Sequence, residues 1–216
     1  MADFTDRDYF VKICGVTSLE GAEASIVAGA TAIGLIFAQS PRAVTLDQAS
    51  VIAEAVRGRI VRVGVFRDFD APTMFRTVER LNLDVVQFHG PLEPRTLATM
   101  RGLGVGVVKA LALGDEEFFT FEEEGVDAVL VDGPIPGSGA SHAWDELHQR
   151  VFTRPVIAAG GLTPDTVARV LDEVDVWGVD VATGVESTVG IKDPALVNEF
   201  VATARRHFTQ REEHNG

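Results

Sequence analysis

Eight short apolar runs recur along this chain of 216 residues, and each is followed by a stretch with helical spacing or a helix start signal. The runs are rich in β-branched residues and mostly uninterrupted, which is typical of strands buried on both faces of a parallel sheet. They span residues 10–14, 32–37, 62–66, 85–89, 107–110, 128–132, 156–159 and 176–181. The pattern therefore predicts parallel strands joined by helices.

The length of the repeat separates two parallel folds. Eight strand and helix pairs in this chain give about 27 residues each, which is the period of a (β/α)8 barrel. An open doubly wound sheet usually has fewer units and a phosphate fingerprint near its start. We therefore predict an α/β protein with one domain, a (β/α)8 TIM barrel over residues 10–208. Residues 1–9 are expected to form an N-terminal extension and residues 209–216 a frayed tail.

Helix start signals support this division. Some are polar pairs with capping-box spacing, and others place proline at the first helical position. The candidates are Thr17 with Glu20, Thr45 with Gln48, Thr163 before Pro164, and Asp193 before Pro194.

Charge and cysteine content restrict the function. Nineteen basic against 32 acidic residues give a net charge of −13, which repels nucleic acid and acidic membrane surfaces, so neither is expected as a partner. An anionic small molecule would need a local positive site. The single cysteine, Cys14, excludes an intramolecular disulfide and a multi-cysteine metal site. Without a basic and apolar leader at its start, the chain is predicted to be cytoplasmic.

Polar residues at strand ends are the candidates for chemistry, because barrels of this kind carry their sites at the C-terminal ends of the strands. Alternation along a strand puts Lys12 on the same face as Cys14, and Gln87 on the same face as His89. If these faces point inward, Cys14, His89 and Asp132 converge at the barrel mouth.

Cys14 and Asp132 have the chemistry of a base and an acid. A deprotonated thiol can take a proton, and a carboxyl group in a partly apolar mouth can keep one near neutral pH. The alternatives are a small buried hydrophobe for Cys14, and a helix cap or structural ion pair for Asp132. Lys12 and Asp180 are expected to form a buried structural ion pair inside the barrel.

Two glycine-containing loops are candidates for phosphate binding. Gly160-Gly161 follows the seventh strand, and Thr183-Gly184 follows the eighth, beside a short helix expected over 185–188. Such loops expose consecutive backbone N–H groups, and in this fold they form the usual phosphate site. Plain turns are the alternative interpretation.

Arg42 and His89 are candidates for contact with the rest of a substrate. Arg42 lies after the second strand, where its guanidinium could hold a carboxylate through two hydrogen bonds or remain solvated. His89 could bond a substrate or simply end its strand as a satisfied polar residue.

Together these motifs resemble the phosphoribosylanthranilate isomerase family, in family order from about residue 10 to residue 208. The motifs are Lys12-Ile13-Cys14-Gly15, Ser40-Pro41-Arg42, Val63-Gly64-Val65-Phe66, Val85-Val86-Gln87-Phe88-His89-Gly90, Ala159-Gly160-Gly161-Leu162, Gly178-Val179-Asp180-Val181 and Gly184-Val185-Glu186.

The resemblance implies an isomerase of tryptophan biosynthesis. Such an enzyme converts N-(5-phosphoribosyl)anthranilate into 1-(2-carboxyphenylamino)-1-deoxyribulose 5-phosphate by an Amadori rearrangement, with neither a cofactor nor a metal. The family acid corresponds to Asp132 and the family base to Cys14. Arg42 would hold the anthranilate carboxylate, and the two glycine loops would hold the phosphate. We expect a monomer or a homodimer.

Two departures from the family pattern leave alternatives open. Residues 137–143 lack the Lys, Phe and Asp usual after the sixth strand, and Ala182 replaces the first serine of a Ser-Ser-Gly sequence. One alternative is a related isomerase of the histidine pathway, although those relatives have Asp where Cys14 stands. Another is a phosphate-binding protein without activity, although both proposed catalytic residues are retained.

Overall fold

The protein forms a closed barrel of eight parallel strands, paired in sequence order with the last strand beside the first. The computed structural model describes residues 4–67, 69–133 and 144–215. The strands are β1 Phe10–Cys14, β2 Ala32–Ile36, β3 Val61–Arg67, β4 Val85–His89, β5 Gly106–Ala112, β6 Ala128–Asp132, β7 Val156–Ala159 and β8 Gly178–Val181. The predicted (β/α)8 barrel is thus confirmed.

Helices surround the barrel. The α-helices are α1 Leu19–Ala28, α2 Leu46–Ala55, α3 Ala71–Leu81, α4 Pro94–Gly102, α5 Glu116–Thr120, α6 Pro164–Glu173 and α7 Pro194–Asn215. Between β6 and β7 the described residues form a 3₁₀ helix, Asp145–Gln149. After β8 come a 3₁₀ turn, Thr183–Val185, and a hairpin of β9 Glu186–Thr188 with β10 Ile191–Lys192.

Most of the predicted helix starts are correct, and one is displaced by a residue. Thr45 and Gln48 form the capping box that begins α2, and Pro164 and Pro194 are the first residues of α6 and α7. At α1, however, the N-cap is Ser18, whose hydroxyl accepts from Gly21 N–H at 3.2 Å. The predicted cap, Thr17, instead donates its hydroxyl to Gly190 O of the hairpin at 2.5 Å.

Two apolar cores follow from the alternation of the strands. Side chains pointing outward, such as Ile13, Phe88 and Val131, pack with the helices into the larger core. Side chains pointing inward, such as Val63 and Leu130, fill the barrel. Because the inward set ends with the last residues of several strands, the polar groups at those ends face the mouth.

Aromatic side chains close the N-terminal end of the barrel. Phe10 stacks on Trp177 with ring centroids 5.0 Å apart, and Phe4 meets Phe10 edge-on at 5.9 Å. Gly106 leaves room for this arrangement, since a methyl group there would lie 2.6 Å from the Phe4 ring. Part of the predicted extension, residues 1–9, therefore packs into the barrel floor.

The C-terminal helix is longer than expected. Residues 209–215, predicted to be frayed, continue α7 to Asn215. Arg211 explains part of this difference, because its guanidinium donates to Val174 O at 2.8 Å and to Leu171 O at the end of α6.

Membrane insertion was not expected. Within residues 4–67, 69–133 and 144–215, no helix is both long and apolar enough to cross a membrane.

Candidate active site

The three polar strand ends singled out in the sequence all face the barrel mouth. Cys14 ends β1, His89 ends β4 and Asp132 ends β6, and each is in phase with inward-facing residues of its strand. Cys14 is buried, His89 is half-buried and Asp132 is accessible to solvent. The predicted convergence at one end of the barrel is therefore present in the fold.

The Cys14 thiol lies beside a buried ion pair. Lys12 Nζ donates to Asp180 Oδ1 at 2.9 Å, across the pairing of β1 with β8, and Lys12 and Cys14 share the inward face of β1. Gly34 on β2 makes room for both side chains, because a methyl group there would lie 2.8 Å from Cys14 Sγ and 3.1 Å from Lys12 Cε. The predicted Lys12–Asp180 pair is thus present, and its lysine chain and the thiol lie side by side against Gly34.

Burial and charge act in opposite directions on this group. Burial raises the pKa of the Cys14 thiol above its ordinary value, while Lys12 lowers it and Asp180 adds to the increase. Burial alone would lower the pKa of Lys12, but Asp180 and Cys14 together raise it above its ordinary value. Lys12 therefore stays charged and is the principal group that stabilises a thiolate at position 14.

The surroundings of Asp132 favour its protonated form more than water does. Partial removal from water raises the pKa of Asp132, the Asp180 carboxylate raises it further, and Arg67 opposes the increase. The loop after β7 lies against this strand end, since a methyl group at Gly160 would be 2.9 Å from Asp132 Oδ1. A carboxyl group with a raised pKa is what a general acid needs near neutral pH.

His89 is neutral at physiological pH. Its Nε2 lies 3.0 Å from Gln87 Nε2, and its Nδ1 lies 3.3 Å from Arg67 Nη2. Burial, followed by the charges of Arg67, Lys12 and Lys109, lowers the pKa of His89 to about 4. The imidazole thus contributes no positive charge at the mouth, and both of its ring nitrogens lie within hydrogen-bond distance of a protein side chain.

This neutral histidine predicts a pH-dependent stability. Between pH 6.5 and 4 the unfolded chain binds a proton at His89 that the folded protein does not, so stability falls as the pH falls. The contribution lost between pH 7 and 5 is about 2 kcal/mol. In urea unfolding, His89→Gln should lose less stability than the wild type over this range. The exposed His148, changed to Gln, is the control, and equal losses in the wild type and His89→Gln would contradict the expectation.

Arg42 is already paired with a carboxylate. Its Nε and Nη2 each lie 2.8 Å from an oxygen of Glu186, and Nη2 is 3.4 Å from Thr183 Oγ1. Lys192 donates to the same Glu186 at 2.9 Å. One edge of the guanidinium is thus fixed by Glu186, while Nη1 carries two further N–H groups that could meet a ligand. Gly15 permits this position, since a methyl group there would lie 2.8 Å from Arg42 Cδ.

The two predicted phosphate loops are packed against each other. Gly184 needs to be glycine because a methyl group there would lie 1.9 Å from Leu162 O, just beyond Gly160 and Gly161. Gly160, at φ +102°, similarly approaches Gly133 O. The loops after β7 and β8 therefore form one continuous backbone surface at the mouth. The short helix expected over 185–188 is wrong, because residues 186–188 form β9 and only Val185 belongs to the 3₁₀ turn.

Three charged residues at the mouth were not proposed from the sequence as site residues. Arg67 has the inward phase of Val63 and Val65, but the strand was predicted to end at residue 66. Extending that alternation by one residue would have found it. Glu186 and Lys192 form a buried ion pair in the hairpin of β9 and β10. The sequence of the hairpin has no periodic pattern from which this pair could be predicted. Residues 137–143, where the sequence departs from the family pattern, lie outside the described residues.

The fold and this mouth define a (β/α)8-barrel enzyme suited to proton transfer. The chain belongs to the N-(5'-phosphoribosyl)anthranilate isomerase family, since the family model N-(5'phosphoribosyl)anthranilate (PRA) isomerase matches residues 11–203. An N-(5'-phosphoribosyl)anthranilate isomerase of Desulforudis audaxviator is 38% identical over 202 residues, which cover 90% of this chain and 97% of that protein.

Solved structures agree with this membership. The phosphoribosyl anthranilate isomerase of Thermotoga maritima is 30% identical, with a TM-score of 0.82 over 92% of this chain and 99% of that one. A structure of phosphoribosyl anthranilate isomerase in complex with reduced 1-(o-carboxyphenylamino)-1-deoxyribulose 5-phosphate is 28% identical. Its TM-score is 0.79 over 92% of this chain and 99% of that one.

Proposed function

We propose that this barrel mouth isomerises N-(5'-phosphoribosyl)anthranilate, with Asp132 as the general acid and Cys14 as the general base. The family makes the chain an aldose–ketose isomerase of tryptophan biosynthesis. The observation that carries the assignment of roles is the position of a single thiol and a carboxyl group on β1 and β6, facing the same mouth.

The reaction needs two proton transfers of opposite sense. In the first, Asp132 gives its proton to the furanose ring oxygen, the C1–O bond breaks and a Schiff base forms. In the second, the Cys14 thiolate takes the proton from C2, and the electron pair of that bond forms the enolamine. The enolamine tautomerises to the ketone. The raised pKa of Asp132 supports the first step, and Lys12 beside Cys14 supports the second.

Two anionic ends of the substrate would fix the reacting carbons between acid and base. The phosphate is assigned to the joined loops of Gly160, Gly161, Thr183 and Gly184. The anthranilate carboxylate is assigned to the Nη1 side of Arg42, opposite the edge held by Glu186. His89 is neutral and would bind the substrate by exchanging one of the two neighbours of its ring nitrogens, Gln87 or Arg67. Holding both ends reduces the orientational freedom that the reaction must otherwise lose.

The direct test is turnover by the purified protein. Phosphoribosylanthranilate is made in place from anthranilate and phosphoribosyl pyrophosphate, and its disappearance is followed after addition of the protein. Turnover is expected in buffer without added metal or cofactor. Folded protein that leaves the substrate unchanged would overturn the proposal, and the histidine-pathway aminoimidazole carboxamide ribotide would then be the next substrate to test.

Removing the guanidinium should weaken substrate binding more than catalysis. Arg42→Ala is expected to raise KM by about 10- to 100-fold with a smaller change in kcat, because the lost hydrogen bonds exist before and during reaction. Arg42→Lys is the matched variant: it keeps the charge but loses the planar pair of donors, so its KM should lie between the two. A fall in kcat at unchanged KM would contradict the assignment of Arg42 to the carboxylate.

The assembly as a monomer or homodimer and the cytoplasmic location remain predictions. Size-exclusion chromatography with light scattering would decide the first.

A further inference from the structure

We propose that Lys12 is a positioning residue for the base: its ammonium group, held from behind by Asp180, directs the Cys14 side chain toward the mouth and is the counterion of the thiolate. The proposal rests on the role of Cys14 as base. It gives the Lys12–Asp180 ion pair, predicted from the sequence to be structural, a function in the reaction.

The geometry gives Lys12 two partners at once. Lys12 and Cys14 are two residues apart on β1, so both side chains point into the barrel. Lys12 is 1% exposed, and its Nζ donates one N–H to Asp180 at 2.9 Å. An ammonium group has three N–H donors, so two remain to face a thiolate. Gly34 leaves the space in which the lysine chain and the sulfur meet.

A purely structural ion pair would not need this arrangement. Burying a lysine costs free energy, and a single carboxylate with good geometry is enough to offset much of it. Arg62 and Asp84 form such a pair, with two bonds of 2.9 Å between the side chains. Lys12 instead shares the inward face of β1 with the thiol, and its side chain and the sulfur both lie against Gly34. In this position it attracts the thiolate, while Asp180 keeps the ammonium charged.

The other charges around the thiol have partners of their own. The groups that act on Cys14 are Lys12 on β1, Asp180 on β8, Lys192 on β10 and Arg42 in the loop after β2. Lys192 and Arg42 both bind Glu186, which offsets part of their charge. Lys192 is therefore a matched control, because it is a second buried lysine whose charge lowers the pKa of the thiol, but it lies on β10 and is paired with Glu186.

The test is a pH titration of the thiol by its ultraviolet absorbance. Cys14 is the only cysteine in the chain, and subtraction of Cys14→Ser data removes the signal of Tyr9. Lys12→Met should raise the thiol midpoint by about one to three pH units, since a neighbouring opposite charge commonly shifts a pKa by this amount. Lys192→Met should raise it by less than half as much. Lys12→Arg, which keeps the charge, should recover part of the shift.

Two further measurements keep the proposal testable if Lys12→Met does not fold. The double variant Lys12→Met/Asp180→Asn leaves no unpaired buried charge and should still raise the midpoint. In the wild-type protein, the nitrogen NMR resonance of Lys12 Nζ should shift at the midpoint of the thiolate absorbance.

Three results would overturn the proposal. The first is an unchanged thiol midpoint in Lys12→Met or, if that variant does not fold, in the double variant, and the second is a shift no larger than that in Lys192→Met. The third is a Lys12 Nζ resonance that does not change at the thiol midpoint. The titration needs no substrate. If the protein has no isomerase activity, the proposed function is refuted, but the titration still measures the effect of Lys12 on the thiol midpoint.

Discussion

Replacing Cys14 with alanine should lower kcat by about 100- to 10,000-fold, the usual contribution of a positioned base. The sulfur acts when the C2 proton is transferred, so KM should change little. Steady-state kinetics on variants whose folding is verified by circular dichroism would measure both quantities. In the structure the thiol is buried near Lys12, so removal of the thiol also changes the surroundings of the Lys12 ammonium group.

A control is needed because Cys14 also fills space inside the barrel. Val65 belongs to the same inner cluster, and Val65→Ala removes a comparable apolar volume without touching the thiol. It should lower stability by roughly 1 kcal/mol or more through the cavity it leaves, yet preserve most of kcat. If Cys14→Ala and Val65→Ala lose activity equally, packing rather than proton abstraction explains the importance of Cys14.

Changing Asp132 to asparagine should also lower kcat by about 100- to 10,000-fold, because the amide has nearly the same shape but no acidic proton. The pH profile distinguishes this loss from general damage. With a protonated acid of lower pKa and a deprotonated base of higher pKa, kcat/KM rises up to the pKa of Asp132, stays level, and falls above that of Cys14. In Asp132→Asn the remaining activity should go on rising with pH toward the thiol pKa.

Asp115 provides the comparison for Asp132. It is an exposed carboxylate after β5, the strand that pairs with β6, so Asp115→Asn removes one charge from the same end of the barrel. The pH profile of kcat/KM for Asp115→Asn should keep the level region that is expected for the wild type. A level region that persists in Asp132→Asn would mean that another group supplies the proton.

The barrel and its proposed acid and base could be predicted from the sequence because both follow from strand periodicity. The bounds of β1, β4, β6 and β7 agree with the prediction, and these strands carry Cys14, His89 and Asp132 at their ends. In a parallel barrel the C-terminal ends of the strands meet at one end, independently of where the helices begin and end. The position of a residue on a strand therefore predicted its place at the mouth.

Contacts between distant loops could not be predicted in the same way. The sequence suggested Arg42 as a carboxylate ligand, but its partner Glu186 is 144 residues away, in a hairpin that follows no repeat. Thr17 shows the same limit on a smaller scale, since its hydroxyl bonds Gly190 rather than capping α1. Local patterns predict elements, whereas these pairings depend on how the loops after β1 and β2 meet the segment after β8.

Ring closure also has a consequence for the order in which the site is assembled. Lys12 and Asp180 are 168 residues apart, and Phe4 meets Trp177 at the barrel floor. During synthesis the first strand leaves the ribosome long before its neighbour on the other side exists. Until β8 has been made, Lys12 lacks its carboxylate and the floor lacks one of its rings. The charge balance that the proposed chemistry requires is therefore completed only when β8, the last strand of the barrel, pairs with β1.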